Sequence, residues 1–284
     1  MYEIIFFLLV PFLALLYEGI YRKVYARFQN RIGPPILQPF YDILKLFSKK
    51  KIKRINDPFF KYAPILYFIS LYVLFLFIPF SIISFEYDFI FVLYLTILAS
   101  AFYVLAGLSS DNPYGIIGST RDMILMILYE ITLVITVFNF ILKAGVLSFS
   151  DFNPSLLLLS LPISSLGLFI TSMIEAHVTP FDTTEAPTEI MGGSRTEYSG
   201  SGLAFMNLSG ALKRLFFTLL LPMLFFGKNI LILLPMSFLF LILYTISQAT
   251  TSRYRVDQVF KVYSIIMFLV LIEFIFVMWG IQWA

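Results

Sequence analysis

Eight runs of this chain are long and apolar enough to cross a lipid bilayer as helices. They lie at about residues 3–21, 63–84, 89–108, 123–142, 156–174, 208–226, 230–249 and 262–283. A hydrocarbon core takes roughly 20 apolar residues at the helical rise. Lipid offers a backbone no hydrogen-bond partner, so each run must satisfy its own amides and carbonyls, and the period-2 alternation of a barrel strand is absent. The pattern predicts an all-α integral membrane protein, with residues 1–284 forming a single transmembrane domain of eight helices. Composition agrees: 60% of residues are hydrophobic, 13% are charged, and Phe occurs 33 times, unlike an average soluble domain. The first run, MYEIIFFLLVPFLALLYEG, carries an acid at Glu3. It has neither a basic leading segment nor a small-residue cleavage site, so it reads as a retained span rather than a signal peptide.

The basic residues give the topology. Eleven of the 20 Lys and Arg fall between the first two runs, from Arg22 to Lys61. Seven more (Arg121, Arg195, Lys213, Arg214, Arg253, Arg255 and Lys261) follow runs three, five and seven, with Lys213 and Arg214 either in the loop or inside the start of run six. Only Lys143 and Lys228 fall on the other face. Positive charge concentrates on the cytoplasmic side, which puts both termini outside. The chain has no cysteine and one histidine, His177. That excludes disulfides, thiolate-held iron–sulfur clusters and a bis-histidine haem, so no redox cofactor and no metal is expected in this chain.

Within the first basic loop, ILQPFYDILKLFSKK (36–50) places Ile36, Leu37, Phe40, Ile43, Leu44 and Phe47 at helical spacing. This predicts an amphipathic surface helix in the headgroup plane, which either anchors the loop or lines an entrance and docks a partner. No internal repeat is visible, in contrast to the paired broken helices of many secondary transporters.

The acids are placed unusually. Glu130 sits inside run four beside Tyr129, and Glu273 inside run eight. Ionisable groups in a span are costly and mark function by default. Glu130 is read as a proton-relay site or as a buried carboxylate paired with Arg121 or Lys213. Glu273 is read as a relay group or a partner contact, and Glu18 as an acid closing run one at the membrane surface. The stretch IEAHVTPFDTTEAPTEIMGGSRTEYSG (174–200) gathers Glu175, Asp182, Glu185, Glu189 and Glu197 with the single cation Arg195. Glu175 is expected where solvent begins. Asp182 and Glu185 have capping-box spacing, and Pro187 and Gly192-Gly193 limit any helix there. Close carboxylates repel and raise one another's affinity for protons unless cations compensate; the basic first loop is the expected source of those cations. His177 is a further titratable group in the stretch.

Four segments carry a resemblance to a family. RFQNRIGPPILQPFYDILKL (27–46) is similar to a Q-x-R-x-G-P…L-Q-P-x-x-D-x-x-K-L signature through Gln29, Arg31, Gly33, Pro34, Gln38, Asp42 and Lys45. GLSSDNPYGIIGSTRDMILMILYE (107–130) matches from its serine pair to Tyr129-Glu130. The acidic stretch matches at Pro180, Phe181, Asp182, Glu185, Glu197 and Tyr198, and RYRVDQ (253–258) matches a final basic loop. The chain resembles the NuoH-type membrane subunit of respiratory complex I. It looks closer still to the counterpart in membrane-bound [NiFe] hydrogenases, formate hydrogenlyases and ferredoxin-linked sulfur reductase complexes.

The resemblance implies a non-catalytic membrane-anchoring and coupling subunit in a prokaryotic plasma membrane, which docks a hydrophilic redox arm and links electron transfer to ion translocation. Its implied proton pathway is Glu130, Glu175, Asp182, Glu185, Glu189 and Glu197, flanked by Glu18, Tyr129, His177 and Glu273. Its implied docking residues are Arg22, Lys23, Arg27, Gln29, Arg31, Asp42, Lys45, Arg195, Arg253, Arg255, Asp257 and Gln258. The implied partners are hydrogenase-like large and small subunits bearing the [NiFe] centre and iron–sulfur clusters, together with antiporter-like membrane subunits. Two departures favour the hydrogenase-like branch over a quinone-site subunit of an NADH or ferredoxin:quinone oxidoreductase. Gly33-Pro34-Pro35 runs almost directly into Leu37-Gln38-Pro39, where complex I has a longer loop. Val178 stands where complex I has an arginine before Pro-Phe-Asp. A purely structural anchor and an independent transporter are the competing readings.

Overall fold

The computed structural model describes residues 2–50, 57–149, 151–152, 160–184 and 187–280. Among them there is no strand. The helices are α1 (Tyr2–Phe28), α2 (Gln38–Ser48), α3 (Pro58–Leu74), α4 (Asp88–Leu108), α5 (Pro113–Ala144), α6 (Pro162–Glu175), α7 (Gly200–Phe226), α8 (Ile230–Thr250) and α9 (Val256–Met278), with single turns at Pro187–Ile190 and Gly193–Arg195.

Six of these, α1, α4, α5, α7, α8 and α9, are long and apolar enough to cross a membrane; α3 and α6 are shorter apolar helices. At 1.5 Å per residue, the 17 residues of α3 and the 14 of α6 reach only about 26 and 21 Å, short of a core about 30 Å thick. The chain is an integral membrane protein. The run expected at 63–84 is helical only to Leu74 and then continues as turns in which Phe75, Phe77 and Ile78 are buried. Hydropathy there reported burial rather than helix. The described part of the run expected at 156–174 contains α6, and residues 156–159 lie outside the described residues.

Two helices start well before their apolar runs. Asn112 caps α5, accepting from the Tyr114 amide at 2.9 Å, with Pro113 at the first turn, so helix begins ten residues ahead of the expected 123. Helix α7 begins at Gly200 rather than 208. Arg121 therefore stands on a helix rather than in a loop, and Lys213 and Arg214 lie within α7, inside run six. The expected amphipathic segment forms α2, but its apolar residues divide. Pro39 and Ile43 are buried, whereas Leu37, Leu44 and Phe47 are exposed.

Helix α7 is the central post. It packs against α1, α2, α3, α6 and α8, and 89% of its apolar window is buried, against 28% for α1 and 22% for α9. Helix α5 runs between α4, α6 and α9. At one end of the bundle, the basic end, the start of α5 and the loop before α9 meet the stretch 176–199 through Asn112–Glu197, Arg121–Glu189 and Tyr254–Pro180 contacts. At the opposite end Asp88 accepts from the Phe149 amide and Lys228 donates to Ser81.

Candidate functional site

The stretch 176–199 does not hang in water. It folds back between the helices, burying Ala176, Val178, Thr183, Ile190, Ser194 and Tyr198. Glycines make room for it. A Cβ on Gly118 of α5 would lie 2.7 Å from the Gly193 Cα, and one on Gly107 of α4 would lie 2.6 Å from the Ser194 Cβ. Only two helices with bare backbone at these points let the Gly193–Arg195 turn wedge between them. Tyr198 locks the far end. Its ring stacks on Phe60 at 4.3 Å, and its hydroxyl donates to the Phe60 and Ala106 carbonyls at 3.1 and 3.0 Å. Burial pushes the phenol well above its ordinary value, so it remains a neutral donor.

Glu175 closes α6, but solvent does not begin there: the residue is 1% exposed. Its carboxylate pairs with Lys213 of α7, itself 2% exposed. Ser100 of α4 completes the set, donating to Glu175 Oε2 at 3.3 Å and accepting from Lys213 Nζ at 3.3 Å. Three helices thus converge on one buried ion pair. Tyr129 is buried against Ser100. Glu130 is half-buried on α5, its Oε1 enclosed without a hydrogen-bond partner among the described residues. Neither cation considered for Glu130 pairs with it: Lys213 is taken by Glu175 and Arg121 by Glu189.

Arg214 leaves the same helix on another bearing, since successive residues are about 100° apart. It pairs with Glu18 of α1, stacks over the Tyr21 ring at 4.4 Å, and reaches the Ala176 carbonyl at 3.5 Å. Glu18 also pairs with Arg22 at 3.0 Å, Arg22 with Asp42 at 3.0 Å, and Gln38 donates to Asp42 at 3.1 Å. This ladder ties α1 to α2 and borders a cleft of about 140 Å³ that His177, Arg195 and Gly210 also line. His177 lies beside the Tyr103 ring at 5.2 Å, with Nδ1 3.5 Å from Thr184 Oγ1. Arg195 turns inward over Tyr103, and Gly210 leaves space for its guanidinium. The Lys213-Arg214 pair is the feature that sequence reading undervalued. Two adjacent cations in LSGALKRLFFTLLLPMLFF each need an acid partner in an apolar environment, and that signal was present.

The surface acids are paired one by one. Glu189 meets Arg121 at 2.8 Å, Asp182 meets Arg253 at 3.1 Å, and Glu197 accepts from Asn112 at 2.7 Å. The expected mutual repulsion is thus relieved by cations from α5 and the 251–255 loop, not from the described part of the first loop. Glu185 lies outside the described residues, so the Asp182–Glu185 capping pair does too. Of the expected docking residues, Arg27, Arg31, Lys45, Arg253, Arg255, Asp257 and Gln258 are exposed and Lys23 and Gln29 half-buried. Gln258 accepts from the Arg255 amide at 3.0 Å and so caps α9; Arg31 donates to Gln29. Glu273 lies far from this cluster, buried against the start of α6. Among the described residues no group of three or more His, Asp and Glu side chains is arranged to hold a metal.

Residues 2–279 match the model of a family described as NADH dehydrogenase. This chain belongs to the NADH dehydrogenase family. An NADH-quinone oxidoreductase subunit from Helicobacter acinonychis (strain Sheeba) is 31% identical over 274 residues, 84% of this chain and 83% of that one. Hydrogenase-4 component C of Escherichia coli (strain K12) is 32% identical over 228 residues, 75% of this chain and 71% of the relative. A chain of the membrane-bound sulfane sulfur reductase, an archaeal respiratory membrane complex, superposes with a TM-score of 0.88 at 25% identity, covering 97% of this chain and 98% of its own. Each of these relatives is a subunit or component of a larger assembly.

Proposed function

We propose that this chain is the membrane-anchoring and coupling subunit of a complex-I-related respiratory complex of the membrane-bound hydrogenase type. Its basic end docks a hydrophilic arm of hydrogenase-like large and small subunits, which carry the [NiFe] centre and iron–sulfur clusters; this chain carries no redox group. Its flanks meet antiporter-like membrane subunits. In this reading the bundle crosses a prokaryotic plasma membrane eight times, with both termini outside. The short α3 and α6 complete the eight crossings; beyond Leu74 protein rather than lipid covers the non-helical backbone, with Phe75, Phe77 and Ile78 buried.

The observation that carries the reading is the buried Glu175–Lys213 pair, with the half-buried Glu130 on α5, the helix packed against α6. Charges desolvated inside a membrane bundle mark a route for ions or protons by default. The route runs from Glu130 through Glu175 toward Asp182, Glu185, Glu189 and Glu197 at the basic end, with Tyr129, His177 and Glu18 alongside. The test uses the intact complex reconstituted in vesicles. Glu130→Gln and Glu175→Gln are expected to assemble and to keep electron transfer, while ion translocation falls about tenfold or more. Normal translocation in both variants overturns the assignment.

A structural anchor is the second reading, favoured by the partners that Asp182, Glu189 and Glu197 each have. It predicts that neutralising Asp182, Glu189 and Glu197 together leaves translocation intact. The quinone-site reading is disfavoured by Val178, an apolar and fully buried residue before Pro180-Phe181-Asp182.

A further inference from the structure

Helix α6 starts inside the protein. Its N-cap residue, Leu161, is buried and has no side-chain oxygen to give, and Pro162 occupies the first turn. The next amides, of Ile163 and Ser164, would be left without acceptors. They are satisfied from another helix. Glu273 of α9, 0% exposed, accepts from the Ile163 amide at 3.2 Å through Oε1 and from the Ser164 amide at 2.5 Å through Oε2. The Ser164 hydroxyl also donates to Oε2 and accepts from Asn139 Nδ2 of α5 at 2.7 Å. Gly167 lets α9 approach: a Cβ there would lie 2.8 Å from the Val270 side chain. The positive end of the α6 dipole favours a carboxylate in this position.

The geometry points to Glu273 as a positioning residue. It caps α6 from α9 and thereby sets the axial place of Glu175, at the other end of the same 14-residue helix, against Lys213. A short helix with a free N-terminus could slide or tilt within its groove; a carboxylate bonded to two consecutive amides and held by Asn139 through Ser164 removes that freedom. This inference rests on the coupling role proposed for Glu175.

Two variants separate positioning from proton carriage. Glu273→Gln keeps the reach and one acceptor oxygen but cannot carry a proton. Glu273→Asp keeps the titrating group but falls one methylene short. Each is made in the intact complex, with Glu175→Gln as the control. Ions moved per electron pair and amide hydrogen exchange at Ile163 and Ser164 are measured on assembled complex. Positioning predicts that Gln stays near wild type with Ser164 protected. It predicts that Asp loses about tenfold in ions per electron and that exchange at Ile163 and Ser164 rises roughly fivefold, as for a lost helix cap. The reverse order, Asp active and Gln inactive, makes Glu273 a proton carrier and overturns the inference. Wild-type coupling and exchange in both variants overturn it as well. If Glu175→Gln itself couples normally, the coupling role of Glu175 fails, and exchange still decides the cap: protection at Ser164 lost in Asp and kept in Gln supports it, and protection unchanged in both refutes it.

Discussion

Lys213 and Glu175 face each other in the interior of the bundle with Ser100 touching both, and neither charge reaches solvent. Such a pair is weak evidence for stability, because removing two ions from water costs about what their attraction returns. Removing one partner is different, because it strands the other.

Lys213→Met alone is therefore expected to destabilise the protein by about 3–5 kcal/mol. The double variant Lys213→Met, Glu175→Leu recovers much of that loss while staying uncoupled. Thermal unfolding of the detergent-solubilised complex, read beside ion translocation, checks both halves. A double variant no more stable than the single one contradicts the pairing.

Gly118→Ala forces a Cβ to within 2.7 Å of the Gly193 backbone. Backbone cannot rotate away as a side-chain tip can, so the Gly193–Arg195 turn must lift from α5, at a cost of about 1–3 kcal/mol. The expected sign is new tryptic cleavage at Arg195 under conditions that leave the wild type intact.

Arg121–Glu189 has the geometry of a good ion pair at 2.8 Å, but its side chains are 28% and 59% exposed. Water and salt screen it, so Glu189→Gln is expected to change stability by no more than about 1 kcal/mol. A larger shift in the thermal midpoint in high salt would show that the pair carries structural weight.

Lys228, in the link between α7 and α8, is pushed below its ordinary value of 10.5 by partial burial, against the opposing pull of Asp88 and Asp151. Between the folded and unfolded values the unfolded chain binds more protons, so stability rises with pH in that window. The charged lysine is thus a liability that fades as pH climbs toward 10.5. Lys228→Met is expected to melt higher than wild type near neutrality, with the gap narrowing as pH rises. A constant gap across that range contradicts the shift.

Much of the fold was legible in advance. The expected runs 3–21, 89–108, 230–249 and 262–283 correspond to α1, α4, α8 and α9 within a few residues at most ends. The misses share a cause. Hydropathy marks where residues avoid water, which is why 75–84 reads as helix although α3 ends at Leu74 and Phe75, Phe77 and Ile78 are buried in turns. It is blind to caps and to helix outside lipid, which is why α5 begins at Asn112 and α1 continues to Phe28 through a basic segment.

By itself the sequence determined that this is a helical membrane protein with a charged end and a few acids inside its spans. About twenty apolar residues in lipid have one low-energy backbone, so that inference is local. Which charge meets which was decided by tertiary structure alone. Glu18 finds Arg214 across 196 positions and Ser100 finds Glu175 across 75. Such partnerships depend on helix rotation and on glycines that admit the acidic stretch into the bundle. Glu273 shows the division most plainly: its intramembrane place could be read from its neighbours in the chain, but its role as the cap of α6 exists only once α9 lies against Ile163 and Ser164.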